Sequence, residues 1–256
     1  MTRSPLLSNH PWVTEAIGHV VPDTTTLEPN RNGGTAATRV VIDSSHGARL
    51  EQRIVTYAPG RSPERTLEGA HAVMYVADGQ GRLLLNGEPY ELEPDTGVFV
   101  AAGETFAIEN DGPEPLEVVE VGVPKESPPA DNRRVLVRYR DRHDESAGMD
   151  RDFRCLVNED AGIAEVTQFV GLIQPGRSAM HAHEYEEVFY VVEGEGVVHW
   201  DDGRAIGIRR GSCVHFPALK LHTVENTGAA PMRVMGVLHP QLSPASRADR
   251  ATSDPL

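Results

Sequence analysis

The chain contains one long segment twice. At an offset of about 116 residues, Pro59-Gly60 returns as Pro175-Gly176, and Tyr75 through Gly79-Gln-Gly81 returns as Tyr190 through Gly194-Glu-Gly196. Asn110-Asp-Gly112 returns as Asn226-Thr-Gly228, and Leu116 to Pro124 as Met232 to Pro240. Such self-similarity limits the fold to an architecture that can be built twice, so whatever one half forms the other half forms as well.

The unit is built of short β-branched runs. Thr38–Asp43, Leu50–Tyr57, Ala72–Ala77, Arg82–Leu85, Pro89–Leu92, Gly97–Ala101, Phe106–Glu109 and Leu116–Val121 each read as a strand, with Gly, Pro, Asn and Asp between them. The rhythm resumes at Arg154–Val157 and Ala164–Ile173. No helical period intervenes, so the expected class is all-β, two tandem sandwiches or barrels, and not βαβ. The proline-rich stretch Val123–Asn132 reads as an interdomain linker, giving domains at 1–132 and 133–245. Met1 to Asn32 reads as an arm with one or two short strands, and the polar residues 246–256 as a frayed tail. Arg133 to Arg142 carries a short strand dense in arginine, read as a solvated or interdomain strand before any phosphate site.

Composition removes some functions. A net charge of -14 argues against nucleic acid or an anionic membrane as partner. No apolar run approaches the roughly 20 residues that a membrane span needs, and the start carries no signal-type segment. Two cysteines, Cys155 and Cys213, give no disulfide framework and fit a reducing cytoplasm.

The chemistry concentrates between Gly176 and Asn226. His181, His183 and Glu187 share strand parity and so can face one side, a barrel interior, and His222 follows in a second cluster. The first half is an internal control. Counting back from the shared glycine pairs, Thr66, Glu68, Ala72 and Phe106 stand at these four positions, which leaves one carboxylate as a potential ligand. Imidazoles with one carboxylate suit a divalent transition metal, with Fe, Mn, Ni, Co and Zn all open, one ion per chain, and room for open coordination positions. An ion with an open position can bind a substrate oxygen, activate water or hold dioxygen.

These residues also carry a family resemblance. Gly176 through Gly194 resembles the first cupin motif, a glycine, His-x-His, a glutamate and a glycine, and Gly211 to Asn226 resembles the second. One residue fewer separates Gly176 from His181, and Leu219 stands where the motif usually has glycine. The whole chain thus resembles a bicupin, two tandem jelly-roll (double-stranded β-helix) barrels, the first without metal ligands. By position, the resemblance makes His181, His183, Glu187 and His222 the ligands. The layout is distantly similar to that of the ureidoglycine aminohydrolase family. That family, however, carries a glutamate and two histidines with a later glutamine. Three histidines and a glutamate instead resemble the wider cupin pool of dioxygenases, decarboxylases, isomerases and polyketide cyclases.

Other residues read more plainly. Glu186 has the opposite parity to Glu187 and reads as surface. His215 alternates with Val214 and Phe216 and so faces away from the barrel, and His199 lies on a strand near the site. His10, His19, His46, His71, His143 and His239 stand alone, as structural or solvated histidines do. Tyr185, Arg177, Gln168 and Arg154 are within reach of a pocket mouth. Gly79-x-Gly81 and Gly194-x-Gly196 are strand-turn glycines, because no helix follows to hold an anion. No Ser-His-Asp or Cys-His constellation has local support, and Cys213 reads as a small core residue. The expected function is a metal-dependent bicupin enzyme acting on a small oxygenated metabolite. Oxygenase chemistry is favoured over Lewis-acid isomerisation, hydrolysis or decarboxylation. The alternatives are a non-catalytic binder of a small ligand and a barrel whose metal only stabilises it. Self-association into a homo-oligomer is left open.

Overall fold

A computed structural model of the chain describes residues 17–31, 34–146 and 151–246. The expected tail beyond Ser246, His10 and the start of the arm lie outside them, as does the end of the loop expected after His143.

Among the described residues, the second half forms two sheets. The larger runs His19–Val21, Cys213–Phe216, Glu186–Glu193, Met232–His239, Thr167–Ile173, Arg151–Val157, Glu145–Ser146. The smaller runs Gly176–Arg177, His222–Asn226, Glu195–Trp200, Ala205–Arg209. The first half repeats this plan. Its larger sheet runs Leu136–Arg138, Thr96–Val100, Ala70–Asp78, Leu116–Pro124, Glu51–Tyr57, Ala36–Ile42. Its smaller sheet is built around Thr105–Asn110 with Gly60–Arg61, Arg65–Thr66, Gly81–Leu85 and Glu88–Leu92. The fold is therefore mostly β and consists of two tandem jelly rolls, as the strand rhythm implies.

Each barrel has its own core. Phe189, Val191, Phe216 and Val234 from the larger sheet pack against Val198, Trp200, Ile208 and Val224 from the smaller one. Val55, Met74, Val100 and Val118 do the same with Leu83, Leu85, Phe106 and Ile108 in the first half. A further core forms where the outer faces of the larger sheets meet, from Val73, Tyr75, Val119 and Val121 against Val188, Tyr190, Met235 and Val237. The central strands are thus buried on both faces. This is why Ala72–Ala77 and Val188–Val192 are nearly continuous apolar runs instead of alternating ones.

Two short strands cross between the halves. His19–Val21 pairs with Cys213–Phe216, and Thr24 and Ser212 fasten the arm through hydrogen bonds to Gly211 O (3.0 Å) and Pro22 O (2.6 Å). Leu136–Arg138, just past the expected boundary at 132, pairs with Thr96–Val100 of the first half. The arginines around it meet carboxylates: Arg138 and Arg140 bind Glu93, Arg133 binds Glu104 and Arg142 approaches Asp160. Cys155 and Cys213 are buried and unbridged.

The duplication extends to single hydrogen bonds. Asn110 Nδ2 donates to Tyr57 O and Glu114 O, while its Oδ1 accepts from Gly112 N. Asn226 makes the same three bonds to Ile173 O, Ala230 O and Gly228 N.

Candidate metal centre

His181 and His222 sit opposite one another in an antiparallel bridge, each backbone N–H donating to the other's carbonyl at 2.9 Å. His183 is fixed from a second direction, its carbonyl accepting from Leu219 N at 2.7 Å. Leu219 has φ of 61°, in the left-handed region that glycine enters at least cost. That geometry explains the motif's usual glycine at this position.

One ring nitrogen from each of His181, His183 and His222 lies within 4.8 Å of the others, and all three residues are buried. Their ring centroids are 4.8 to 5.2 Å apart. The backbone sets the tautomer of each ring. Nδ1 of His181 faces Ala179 O at 3.1 Å, Nδ1 of His183 faces Ser246 O at 2.9 Å, and Nδ1 of His222 faces Lys220 O at 2.8 Å. A carbonyl only accepts, so each Nδ1 carries the proton and each Nε2 keeps its lone pair. Protonation of His222 is opposed as well. Burial holds the His222 pKa well below its ordinary value, with the neighbouring His183 and His181 adding to the effect.

Glu187 stands beside this trio without being part of the 4.8 Å group. It lines one cavity together with His183 and His222, and burial raises its carboxyl pKa to about 7 although the charge of Arg151 opposes the shift. Gly236 leaves space for it. A β-carbon there would lie 2.4 Å from the Phe169 ring and 3.0 Å from Glu187 Oε1. The cavity is about 50 Å³, walled by Phe153, Phe169, Phe189 and Phe216, with Arg151 and Tyr185 among its polar lining. Tyr185 stacks on His183 at 4.5 Å and Phe216 on His222 at 4.1 Å. The segment after His239 closes one side: Thr167 Oγ1 donates to Leu242 O, and Pro244 lines the cavity.

Of the residues expected near the mouth, only Tyr185 lines this cavity. Arg154 pairs with Asp144 and lies over Tyr139, Gln168 donates to Met74 O between the barrels, and Arg177 is exposed on an edge strand. His199 bonds Glu225 at 2.7 Å. Arg151, Phe153 and Phe169 carry no sequence signal of their own, since they come from strands outside the histidine motifs, whereas Phe189 and Phe216 lie within them.

Two expectations need correction. Glu186 is not a surface residue: it is 7% exposed, and its carboxylate accepts N–H bonds from Arg49 and Leu50 of the first half at 3.0 and 3.1 Å. Its strand parity does point it away from Glu187, but the face opposite the barrel interior is the inter-barrel contact. His215 likewise points away from the barrel and is nonetheless fully buried, 3.5 Å from Glu186. The counterparts in the first half also shift. Arg65, not Thr66, lies opposite Phe106 as His181 lies opposite His222. Leu67, not Glu68, has the carbonyl that accepts from Gly103, as His183 accepts from Leu219. Ala72 does match Glu187, facing Val100 and Gly122 as Glu187 faces Phe216 and Leu238. The first barrel therefore presents Arg65, Leu67, Ala72 and Phe106 at the four positions, and none is a metal ligand.

A family model for the cupin domain matches residues 53–122 and again residues 169–238. An oxalate-binding protein from Thermotoga maritima is 35% identical over 68 residues, 26% of this chain and 55% of that protein. An uncharacterised protein from Methanocaldococcus jannaschii is 26% identical over 68 residues, 26% of this chain and 54% of that protein. The chain spans about half the length of these curated relatives. Among solved structures, the protein YlbA from E. coli superposes with a TM-score of 0.72 at 16% identity, over 93% of this chain and 97% of that one. Oxalate decarboxylase from Lactobacillus farciminis, in a formate complex, gives 0.72 at 13% over 93% and 89%. Bacillus subtilis oxalate decarboxylase, studied for its Mn(II) centres, gives 0.69 at 12% over 90% and 79%. At these identities the structural likeness shows the fold.

Proposed function

The chain belongs to the cupin family, and from that membership we propose that it is a metal-dependent bicupin enzyme acting on a small carboxylate in its second barrel. His181, His183 and His222 hold one divalent transition metal, with Glu187 as the fourth ligand. The observation that carries this reading is the tautomer pattern: three buried imidazoles have their Nδ1 protons committed to backbone carbonyls while their other nitrogens converge. Converging lone pairs in a buried site repel one another unless a cation lies between them, and second-anchor bonds of this kind are how proteins orient metal-ligating histidines. The donor set therefore fits the ion.

Bound there, the metal supplies Lewis acidity or, for a redox-active ion, electron transfer to or from the ligand. The chain supplies the rest. Arg151 brings a fixed positive charge to the cavity wall, suited to a carboxylate in bidentate contact. The four phenylalanines exclude water and strengthen every charge interaction inside. A cavity of about 50 Å³ has room for only a few water-sized groups, which favours a ligand of a few heavy atoms. Oxalate is the first candidate on size and charge, and the names of the oxalate-binding relative and the oxalate decarboxylase neighbours support it. Manganese is the first ion to test, as the ion named for the B. subtilis neighbour.

The oxalate-binding relative also favours a second reading, capture of the ligand without turnover. Metal analysis of protein purified without chelator is expected to give about one ion per chain, lost in His183→Ala. Equal metal in both proteins would overturn the site. With manganese loaded, release of carbon dioxide or formate from oxalate establishes the enzyme, whereas saturable binding without product establishes the binder. Neither turnover nor binding of oxalate rejects this ligand class.

A further inference from the structure

The first barrel has lost the histidines but kept a cavity. Its volume is about 210 Å³, against about 50 Å³ at the histidines. It opens between the same pair of strands, with Ala36, Thr38, Val55 and Tyr57 in its wall where the second barrel has Arg151–Val157 and Thr167–Ile173. At the pole occupied by His181 in the other half stands Arg65, its guanidinium over the Phe106 ring at 4.7 Å.

The charges around that pole form one network. Arg65 pairs with Glu120, and Arg53 reaches the other oxygen of Glu120 at 3.2 Å. Glu120 is 2% exposed and occupies the position of Gly236, facing Arg53 and Met74 as Gly236 faces Phe169 and Phe189. Two guanidinium groups thus share one buried carboxylate. The other acids nearby are set toward solvent: Glu51, on Arg53, is 39% exposed, and Glu64, on the cavity rim, is 64% exposed and bound to Arg61. Arg65 itself is 36% exposed and lines the cavity. Tyr57 is buried, and burial, then the charge of Glu120, raises its pKa, so its hydroxyl stays neutral. A guanidinium set in a wall of Ala36, Val55 and Phe106 suits a ligand with one anionic end and an apolar body.

We propose that the first barrel is a second, metal-independent binding site, in which Arg65 receives a small organic monocarboxylate whose apolar body lies against Val55, Tyr57 and Phe106. The guanidinium stands where the other barrel has its metal-ligating corner, so the two halves bind anions by different means. Arginine suits this task because its planar fork matches a carboxylate and it holds its charge at every physiological pH.

The test is calorimetric titration of the full chain with benzoate, and with benzamide as its uncharged counterpart. The expected result is saturable binding of one benzoate per chain that survives both chelator and His183→Ala. Arg65→Gln should weaken it about tenfold or more, as befits loss of a charge-assisted hydrogen bond, and benzamide should not compete. Absence of saturable benzoate binding up to about 10 mM, equal affinity in Arg65→Gln, or loss of the site in His183→Ala would each overturn the proposal. Should Arg65→Gln fail to fold, Ala36→Leu fills the cavity from its wall without touching the ion pairs. It must abolish benzoate binding at an unchanged melting temperature, and unaltered binding there also overturns the site.

Discussion

Glu186 and Glu187 are adjacent and chemically identical, yet a strand turns consecutive side chains to opposite faces and so gives them separate surroundings. Glu187 enters the barrel beside the histidines, and Glu186 ties the second barrel to the backbone of Arg49 and Leu50. Replacing Glu186 with glutamine keeps one acceptor oxygen and removes the charge that strengthens those bonds. Glu186→Gln is expected to cost about 1–3 kcal/mol of stability in urea denaturation while metal content stays that of wild type. Metal loss in that variant would show instead that Glu186 supports the ligand set. At the same scale, Leu219 shows what one dihedral does, since its left-handed backbone aims an N–H at His183 O.

At the scale of elements, the two barrels share a buried asparagine corner and differ in what the adjoining strand carries. Asn226 ends the strand His222–Asn226, which holds a candidate ligand, and Asn110 ends Thr105–Asn110, which carries Phe106 at that place. Each asparagine satisfies two carbonyls and one N–H, so either alanine variant is expected to lose about 1–3 kcal/mol. Asn226→Ala should also lower metal occupancy, and Asn110→Ala should not. Denaturation curves with metal analysis of both variants check the difference; equal metal contents would mean that the corner does not position His222. The same comparison shows why counting from glycines misplaced two counterparts by one residue. Arg65 to Ala72 spans one residue more than His181 to Glu187; the repeat offset falls from 116 at Gly60 to 115 at Tyr75, and strand register with the hydrogen bonds of the loop places the extra residue between Leu67 and Ala72.

At the scale of the molecule, the two barrels share a core between their larger sheets and exchange short strands. This contact also buries titratable groups. His71 Nδ1 accepts from Ala102 N at 3.0 Å and its Nε2 faces Ser127 O at 3.3 Å; burial lowers its pKa, although the Ser127 bond and Glu165 oppose the shift. The unfolded chain therefore takes up this proton at higher pH than the folded chain. The stability it contributes is fully present above about pH 6.5 and is lost as pH falls below that value. Urea denaturation of chelator-treated protein is expected to show a smaller loss between about pH 7.5 and about pH 5.5 in His71→Gln than in wild type. Glutamine can keep both bonds and cannot take the proton. An unchanged loss would assign the pH dependence to other groups.

The sequence by itself determined the all-β class, the duplication and the confinement of the histidines to one half, because strand alternation, turn residues and motif spacing are local and survive in a one-dimensional string. Parity also placed Glu187 inward and Glu186 outward. Only the tertiary structure decided what outward meant. The face opposite each barrel interior is covered by the other barrel, so Glu186 and His215 are buried, and Arg151, Phe153 and Phe169 reach the histidines from strands outside the motifs. Likewise, that Arg65 stands opposite Phe106, with Glu120 beneath it, depends on the register between strands. Register and the packing of one sheet on another are relations between segments, and no residue's own neighbours in the chain encode them.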